Sequence, residues 1–334
     1  MRLALVFVLA LTAGCATGGS DLTQKVDALM REYDGEVPGA SVLVIKDGEP
    51  VVRRAYGLAH GTTKATPATN YRLASVTKQF TAAAILALAG EGTLQLSDPV
   101  KRWLPSLPTA ADAVTIEHLL THTSGLIDYE DVIPVGTTKQ LKDADVLRLL
   151  EAQDRTYFAP GSKYQYSNSG YALLALIVER VSGQTFATFL RERIFLPLGM
   201  TNTVAFEDGI STVPNRAYGQ PEDQSTTSAV LGDGGIYSSI DDLAKWDAAL
   251  YDPKYAIAFI PRTKTGEPGI EYGYGWRIGT HRGARMLWHS GETRGFRNVL
   301  VRFPEQRLTV VILTNRNEPE PYKTALAIAD TWLR

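Results

Sequence analysis

The sequence predicts an α/β (α+β) fold, in which helices flank one antiparallel sheet built from both ends of the chain and a mostly helical region is inserted between those ends. Three observations indicate it. A hairpin pattern lies near the N-terminus, the middle alternates helical patterns with Pro/Gly-rich connections, and short segments rich in aromatic and β-branched residues follow Pro268. A chain of 334 residues is long enough to bury a substantial core.

Residues 1–14 have the pattern of a lipoprotein-type signal peptide. Met1 and Arg2 precede an apolar run that is too short to span a bilayer as a stable anchor. Small residues then precede Cys15, the only cysteine in the sequence, so that no internal disulfide can form. We predict that Cys15 becomes the lipidated N-terminus, and simple secretion with cleavage near Ala16 is the alternative.

The signal determines the expected location and the domain boundaries. An exported, lipid-anchored protein would lie in the bacterial periplasm or cell envelope, held at a membrane surface without spanning it. Residues 15–24 are predicted to form a tether and residues 25–334 the folded domain. The sheet part is expected at about 25–75 and 268–334, and the helical part at about 76–267.

The remaining elements follow from periodicity and turn signals. Asp47-Gly48 between two apolar runs indicates a hairpin, and Thr115 is expected to begin a helix that ends near Gly125. Helices are predicted at 22–33, 142–152, 169–181, 185–195, 241–251 and 322–333, and strands at 40–45, 51–56, 272–278, 285–289, 296–303 and 308–313.

Ser75 and Lys78 are the first candidate catalytic pair. The Ala/Leu-rich run at 81–88, which ends at Gly90, predicts a buried helix with Ser75 in its first turn. Residues three apart on a helix project from one face, so the amine can reach the hydroxyl and activate it as a nucleophile. Because a Ser-x-x-Lys match is frequent by chance, a capping serine followed by an exposed lysine stays open at this point.

A second group of candidates lies in a loop after Pro160 and Gly161. A phenol near a lysine ammonium is favoured in its ionised form, so Tyr166 can accept a proton. Asn168 can form amide hydrogen bonds with an acyl substituent. The alternative is a packed tyrosine and a helix-capping asparagine.

The late strands supply a third group. His289 is expected to end an apolar strand, whereas the similar His-x-Gly at His281 lies in a charged, turn-like stretch. The backbone N–H of Glu292 would form an oxyanion hole with that of Ser75. Gly291 would let the substrate backbone approach closely.

In that order, Ser75-Val76-Thr77-Lys78, Tyr166-Ser167-Asn168 and His289-Ser290-Gly291 resemble the three motifs of the serine β-lactamase and penicillin-binding protein superfamily, in its class C-like branch. Stretches at 119–126, 197–200 and 232–235 are similar to the same family, and the resemblance extends from about residue 38 to about residue 315.

The resemblance implies a β-lactamase/transpeptidase-like fold and an acyl-enzyme route. Ser75 would attack a carbonyl, Lys78 and Tyr166 would manage its proton, and His289 would stand beside them at the site. Water would then release the acid, so that neither a metal nor a cofactor is expected. The expected partner is a small-molecule or short-peptide acyl substrate, and the oligomeric state stays open.

The residues that depart from the family pattern bear on the substrate. His289 replaces the lysine of typical β-lactamases, and a histidine that is only partly charged near neutral pH is a weaker carboxylate anchor. Glu292 and Arg294 replace a commoner Gly and Pro, and the glutamate should repel anionic substrates. We expect an esterase or a D-amino-acid/D-Ala-D-Ala type peptidase. A class C-like β-lactamase and a non-catalytic penicillin-binding sensor module are the alternatives.

Other chemistries have weaker support. A formal net charge of -2 without long charge runs gives no electrostatic basis for binding nucleic acid. His118 and His122 have the spacing of a helical metal site, but Leu119 stands where the usual zinc motif has a glutamate, so we expect both histidines to be structural. No Gly-x-Ser-x-Gly motif occurs, which argues against an α/β-hydrolase.

Overall fold

The computed structural model describes residues 17–333. The predicted signal peptide at 1–14 and Cys15 lie outside the described residues. The first helix, α1 (Thr17–Leu29), begins inside the segment predicted as a tether, so residues 17–24 are helical, and the chain continues through a 3₁₀ turn at Arg31–Tyr33.

An antiparallel sheet forms the scaffold, as predicted. In chain order the strands are β1 (Ala40–Lys46), β2 (Glu49–Tyr56), β3 (Leu58–His60), β4 (Thr63–Lys64), β5 (Tyr71–Arg72), β6 (Val204–Ala205), β7 (Ile236–Ser238), β8 (Thr263–Lys264), β9 (Glu271–Tyr272), β10 (Arg277–His281), β11 (Ala284–Thr293), β12 (Phe296–Phe303) and β13 (Leu308–Thr314). Within residues 17–333 the main sheet has eight strands in the order β2-β1-β13-β12-β11-β10-β9-β8. Leu43 pairs with Val311, so the first strand and the last lie side by side in this sheet.

Alternate residues of β1 enter two separate cores, because successive side chains of a strand point to opposite faces. Val42 and Val44 pack in a core with α1 and the C-terminal helix, whereas Leu43 and Ile45 pack against the helical region. The sheet therefore separates a small outer core from the large one that supports the site.

The helices after α1 are α2 (Lys78–Gly90), α3 (Ile116–Leu120), α4 (Asp143–Glu151), α5 (Asn168–Ser182), α6 (Phe186–Leu190), α7 (Leu231–Gly234), α8 (Ile240–Ala249) and α9 (Tyr322–Ala329). A π-type turn at Arg191–Phe195 continues α6, and 3₁₀ turns lie at Ala74–Thr77 and Tyr129–Val132. The α2 and α5 helices pack against each other in the helical region, and α9 packs on β12 and β13. The arrangement confirms the predicted fold class.

Two strand predictions differ from the structure. The strand predicted at 272–278 is two strands, because Gly275 interrupts it with φ +78°, and a Cβ there would lie 2.7 Å from the carbonyl oxygen of Lys78. The interruption thus lets the chain pack closely on the start of α2. The strand predicted at 285–289 extends to Thr293, so His289 lies inside a strand and does not end it.

Within residues 17–333, no single helix is long and apolar enough to cross a bilayer. The α5 helix together with Phe186–Phe195 reaches that length and composition, but the two are bent by 79° relative to each other. Most of α5 is buried in the large core.

Candidate active site

Ser75 lies in a 3₁₀ turn directly before α2, so it is outside the helix that was predicted to contain it. Every residue from Thr69 to Ile85 is buried except Ser75. The turn requires φ +49° at Ala74, a left-handed conformation that costs an L-residue about 1–2 kcal/mol. The strained backbone therefore directs a single hydroxyl out of an otherwise buried segment, toward the positive end of the helix dipole.

Lys78 is completely buried beneath that hydroxyl. Its Nζ donates to Ser75 Oγ at 3.1 Å, to Asn168 Oδ1 at 2.8 Å and to the carbonyl oxygen of Asp233 at 3.0 Å. Three acceptors surround an amine that has three donors when charged. Ser75 makes no capping hydrogen bond, so the alternative of a capping serine with an exposed lysine is wrong.

Tyr166 is half-buried on the other side of the amine, and its ring centroid lies 4.9 Å from Lys78 Nζ. Its loop is fastened by Asp128, whose Oδ2 accepts from Ser167 Oγ at 2.8 Å and from the backbone N–H of Asn168 at 2.6 Å. Asp128 was missed from the sequence because it is 38 residues away in the chain, a contact that only the folded chain makes.

Asn168 is the first residue of α5 and does not cap it, so that alternative is also wrong. Its Oδ1 accepts from Lys78, and its Nδ2 donates to Glu130 Oε1 at 3.0 Å. The amide therefore joins the buried lysine to an exposed carboxylate at the mouth of the site. Partial desolvation and the nearby Asp128 carboxylate raise the pKa of Glu130, while the hydrogen bond from Asn168 opposes that shift.

His289 is 2% exposed and uses both ring nitrogens inside the protein. Nδ1 donates to the carbonyl oxygen of Ser290 at 2.7 Å, which leaves Nε2 to accept from the Tyr272 hydroxyl at 2.9 Å. Burial, with the nearby Lys78 charge, lowers the pKa of His289 to about 3. The ring is therefore neutral at neutral pH, which corrects the expectation that it is partly charged.

The structure requires a glycine at position 291 for a different reason from the predicted one. A Cβ at this position would lie 2.0 Å from the carbonyl oxygen of Leu73, so the missing side chain lets β11 pack on the turn that carries Ser75. β10 pairs with β11 only as far as Trp288, and the edge of β11 beyond it adjoins the site. The side chain of Glu292 is exposed and forms an ion pair with Arg297 at 3.0 Å.

Ser75, Asn168 and Glu292 stand between two cavities, and all three line both. The cavity that we call the Arg277 cavity, of about 310 Å³, is also lined by Tyr166, Arg277, His289 and Ser290. The smaller Glu130 cavity, of about 50 Å³, is also lined by Arg72, Ala74, Tyr129, Glu130, Thr227, Asp233, Gly234 and Thr293.

The two cavities share Glu292 and differ in their other charged residues. In the Arg277 cavity the guanidinium of Arg277 is the cation of the wall, and the neutral His289 adds none. In the Glu130 cavity, Arg72 is 3% exposed, and its guanidinium donates to the carbonyl oxygens of Gly234 and Ser228. The carboxylates of Glu130 and Glu292 are the exposed charges there.

A buried carboxylate lies under the Glu130 cavity and was also missed. Asp233 accepts from the Tyr129 hydroxyl at 2.9 Å, and its backbone carbonyl accepts from Lys78. Burial raises the pKa of Asp233 to about 7, although the Lys78 charge opposes the shift. The residue falls in the stretch 232–235, which the sequence marked only as similar to the family.

The two candidate metal-binding histidines are used structurally. His118 Nδ1 accepts from the Thr115 N–H in a capping box of α3, and His122 Nδ1 accepts from the Ser167 N–H at 3.1 Å. Among residues 17–333 there is no group of three or more His, Cys, Asp or Glu side chains that could hold a metal ion.

Comparison with known proteins gives consistent matches along the chain. The sequence model of the family described as Beta-lactamase matches residues 22–331. Penicillin-binding protein 4* of Bacillus subtilis (strain 168) is 34% identical over 318 residues, which are 86% of this chain and 70% of that protein. Protein flp of Staphylococcus aureus (strain MRSA252) is 31% identical over 326 residues, 89% of this chain but 64% of flp, so the chain spans less than two thirds of that relative.

Solved structures match as well. The octameric penicillin-binding protein homologue from Pyrococcus abyssi superposes with a TM-score of 0.81 at 28% identity, covering 95% of this chain and 78% of its own. The D-amino acid amidase from Ochrobactrum anthropi SV3 complexed with L-phenylalanine has a TM-score of 0.78 at 23% identity, with 94% of this chain and 97% of its own covered. The second likeness shows the fold alone.

Proposed function

The chain belongs to the β-lactamase family, whose members are serine hydrolases, and from this premise we propose that it cleaves an ester or amide bond in a short substrate charged at both ends. A dipeptide with a free amine and a free carboxylate, of the D-amino-acid type, is the substrate class that fits best. Ser75 is the proposed nucleophile, and the cleavage passes through an acyl-enzyme.

The proposed steps follow from the contacts around Ser75. Ser75 Oγ attacks the carbonyl carbon, and its proton passes to the group formed by Lys78 and Tyr166. The backbone N–H groups of Ser75 and Glu292 would hold the resulting oxyanion. The proton then goes to the leaving amine or alcohol as its bond breaks. Water attacks the acyl carbon in the same way, the bond to Oγ breaks, and the carboxylic acid leaves.

The observation that carries the substrate proposal is that one cavity beside Ser75 holds the guanidinium of Arg277 and the other holds the carboxylate of Glu130. Arg277 Nη1 donates to Glu267 Oε1 at 2.6 Å, and its other N–H groups can pair with a substrate carboxylate. The half-buried Ser290 lines the same cavity. Glu130 can pair with an ammonium group on the other side, whereas Glu292 lines both cavities and is paired with Arg297. A substrate that spans both cavities places its reacting bond between them, at Ser75.

The test compares four forms of the dipeptide D-Ala-D-Ala: free, N-acetylated, C-amidated and blocked at both ends. We expect the free form to have the highest kcat/KM and each block to lower it roughly fivefold, the size of one partly exposed ion pair of about 1 kcal/mol. In Glu130→Gln the penalty for N-acetylation should disappear while the penalty for C-amidation stays. Glu151→Gln, an exposed carboxylate at the end of α4, serves as the control. A doubly blocked peptide that is cleaved fastest would refute the proposal.

Two competing functions are separated by further measurements. Faster turnover of nitrocefin than of nitrophenyl esters or D-Ala-D-Ala would favour a β-lactamase. An acyl adduct on Ser75 that accumulates without product release, followed by intact mass, would indicate a penicillin-binding sensor module. Replacing D-Ala-D-Ala by L-Ala-L-Ala tests the configuration, and equal rates would remove the D-amino-acid part of the proposal.

The proposed cellular setting is an exported protein anchored through a lipid on Cys15. Its support is the sequence of residues 1–15 alone. Cys15→Ser should move the protein from the membrane fraction to the soluble fraction of the cell envelope. Unchanged fractionation would exclude the anchor.

A further inference from the structure

His122 lies directly behind the loop that carries Tyr166 and holds the residues on both sides of it. The carbonyl oxygen of His122 accepts from the backbone N–H of Gln165 at 2.9 Å, and its Nδ1 accepts from the backbone N–H of Ser167 at 3.1 Å. These two bonds bracket Tyr166 in the chain. One residue on a neighbouring segment thus fixes the backbone immediately before and immediately after the tyrosine.

The imidazole also supports the tyrosine ring from behind. The ring centroids of His122 and Tyr166 lie 4.3 Å apart with a tilt of 32°. Tyr171 and Tyr272 pack around the same imidazole, at 5.2 Å and 4.7 Å between centroids. His122 is 2% exposed, so it has no room to rotate away from these contacts.

The backbone conformation of His122 is unusual and is required by the contact. Its φ is +58°, in the left-handed region, where a histidine is uncommon. This conformation aims the carbonyl and the imidazole at the same loop. A strained backbone that is maintained beside an active site is a recurring sign of function.

The hydrogen bond to Ser167 needs an unprotonated Nδ1. Burial lowers the pKa of His122 well below its usual 6.5, and the charges of Lys78 and Arg277 lower it further. The proton of the neutral ring is therefore on Nε2, and Nδ1 stays an acceptor at neutral pH.

The geometry points to His122 as the positioning residue of Tyr166, which acts through two hydrogen bonds to the flanking peptide groups and does not touch the substrate. This inference rests on the proposed acyl-enzyme route, in which Tyr166 handles the proton of Ser75. Displacing a catalytic group by about 1 Å can cost roughly 10²-fold in rate, so loss of the bracket should appear in kcat.

A set of four variants separates the hydrogen bond from packing. In His122→Asn the side-chain oxygen occupies the place of Nδ1, and asparagine accepts a positive φ well. His122→Gln moves the oxygen one atom further and loses that bond, while His122→Phe keeps the ring and removes the acceptor. His118→Asn, in the short helix α3 four residues before His122 and outside the site, is the matched control.

The assay is turnover of a nitrophenyl ester with the rate of Ser75 acylation followed by intact mass, at equal folded fraction from the thermal melt. We expect His122→Asn to keep kcat within about threefold, and His122→Gln and His122→Phe to lose roughly 10²-fold in kcat with KM nearly unchanged. His118→Asn should behave as the unmodified protein. If His122→Gln does not fold, His122→Phe supplies the same comparison.

Two outcomes would overturn the inference. Equal losses in His122→Asn and His122→Gln would show that the hydrogen bond to Ser167 is not what matters, and full kcat in His122→Gln or His122→Phe would show that Tyr166 needs no such bracket. Failure of the proposed function has a different signature, because Ser75→Ala would then turn over the ester as fast as the unmodified protein.

Discussion

The amine of Lys78 lies 3.1 Å from the hydroxyl of Ser75, and the lysine is fully buried while the serine reaches the cleft. Burying an ammonium group is costly unless acceptors surround it, and here Ser75, Asn168 and the Asp233 carbonyl do so. The pair is therefore held in position before any substrate binds.

Ser75→Ala should abolish ester hydrolysis and leave the thermal melt nearly unchanged, because the lost hydroxyl is partly exposed. The measurements are initial rates on nitrophenyl acetate and a melt followed by circular dichroism. Ser162→Ala, an exposed serine in the loop before Tyr166, is the control and should keep full activity. Equal rates for the Ser75 variant and the unmodified protein would refute the mechanism.

Gly291→Ala should lower both stability and activity. The added methyl would overlap the carbonyl oxygen of Leu73 and push β11 away from the turn that carries Ser75. Overpacking of this kind costs typically about 1–3 kcal/mol in the free energy of unfolding. Gly90→Ala is a suitable control, since no atom lies within 4 Å of a Cβ built there. Unchanged kcat/KM in Gly291→Ala would mean that the packing of β11 on the turn does not shape the site.

Helix α8 carries the aspartates of two Arg–Asp ion pairs. The two pairs have equal N–O distances and different burial, which gives a matched stability test. Arg302 Nε lies 2.6 Å from Asp247 Oδ1 with both side chains buried, and Arg53 Nε lies 2.6 Å from Asp241 Oδ1 at the surface. Asp247→Ala should destabilise by about 3–5 kcal/mol because it leaves a buried guanidinium without its partner.

Asp241→Ala should cost less than about 1 kcal/mol, because solvent screens the exposed pair. Urea unfolding of both variants measures the two free energies. Similar losses for the two aspartates would contradict the importance of burial at this helix.

Asp143 makes stability depend on pH. It is buried, accepts from the backbone N–H groups of Leu231 and Gly232, and burial raises its pKa from 3.8 to about 7. Between these values the folded protein keeps a proton that the unfolded chain releases. Its contribution to stability is therefore full below pH 4 and is lost as the pH rises to about 7.

In Asp143→Asn the free energy of unfolding should fall less between pH 5 and pH 7 than in the unmodified protein. The difference should be about 2–3 kcal/mol, at about 1.4 kcal/mol per pH unit. Urea unfolding at the two pH values measures it, with the exposed Asp154→Asn as the control. An unchanged pH dependence in Asp143→Asn would contradict the assignment. The second buried carboxyl, Asp233, keeps its own contribution in both proteins.

Local patterns predicted most of the elements. The Asp47-Gly48 turn, the apolar run of β1 and the helix start at Thr115 depend on a few neighbouring residues, so the sequence shows them directly. The split of the strand at Gly275 was not visible, because its cause is the approach of the Lys78 backbone, nearly two hundred residues earlier in the chain. His289 and Gly291 were recognised as important, but for reasons that the contacts then changed.

The sequence alone determined the sheet from both ends of the chain, the family, and Ser75, Lys78 and Tyr166 as the candidate centre, because residue type, spacing and order carry that information. Only the tertiary structure decided that His289 is neutral, that Asn168 joins Lys78 to Glu130, that His122 brackets Tyr166 and that Arg277 and Glu130 lie in different cavities beside Ser75. Burial and hydrogen bonds between segments that are distant in the chain set protonation and charge. The sequence does not show which of these segments come into contact, so it cannot give those properties.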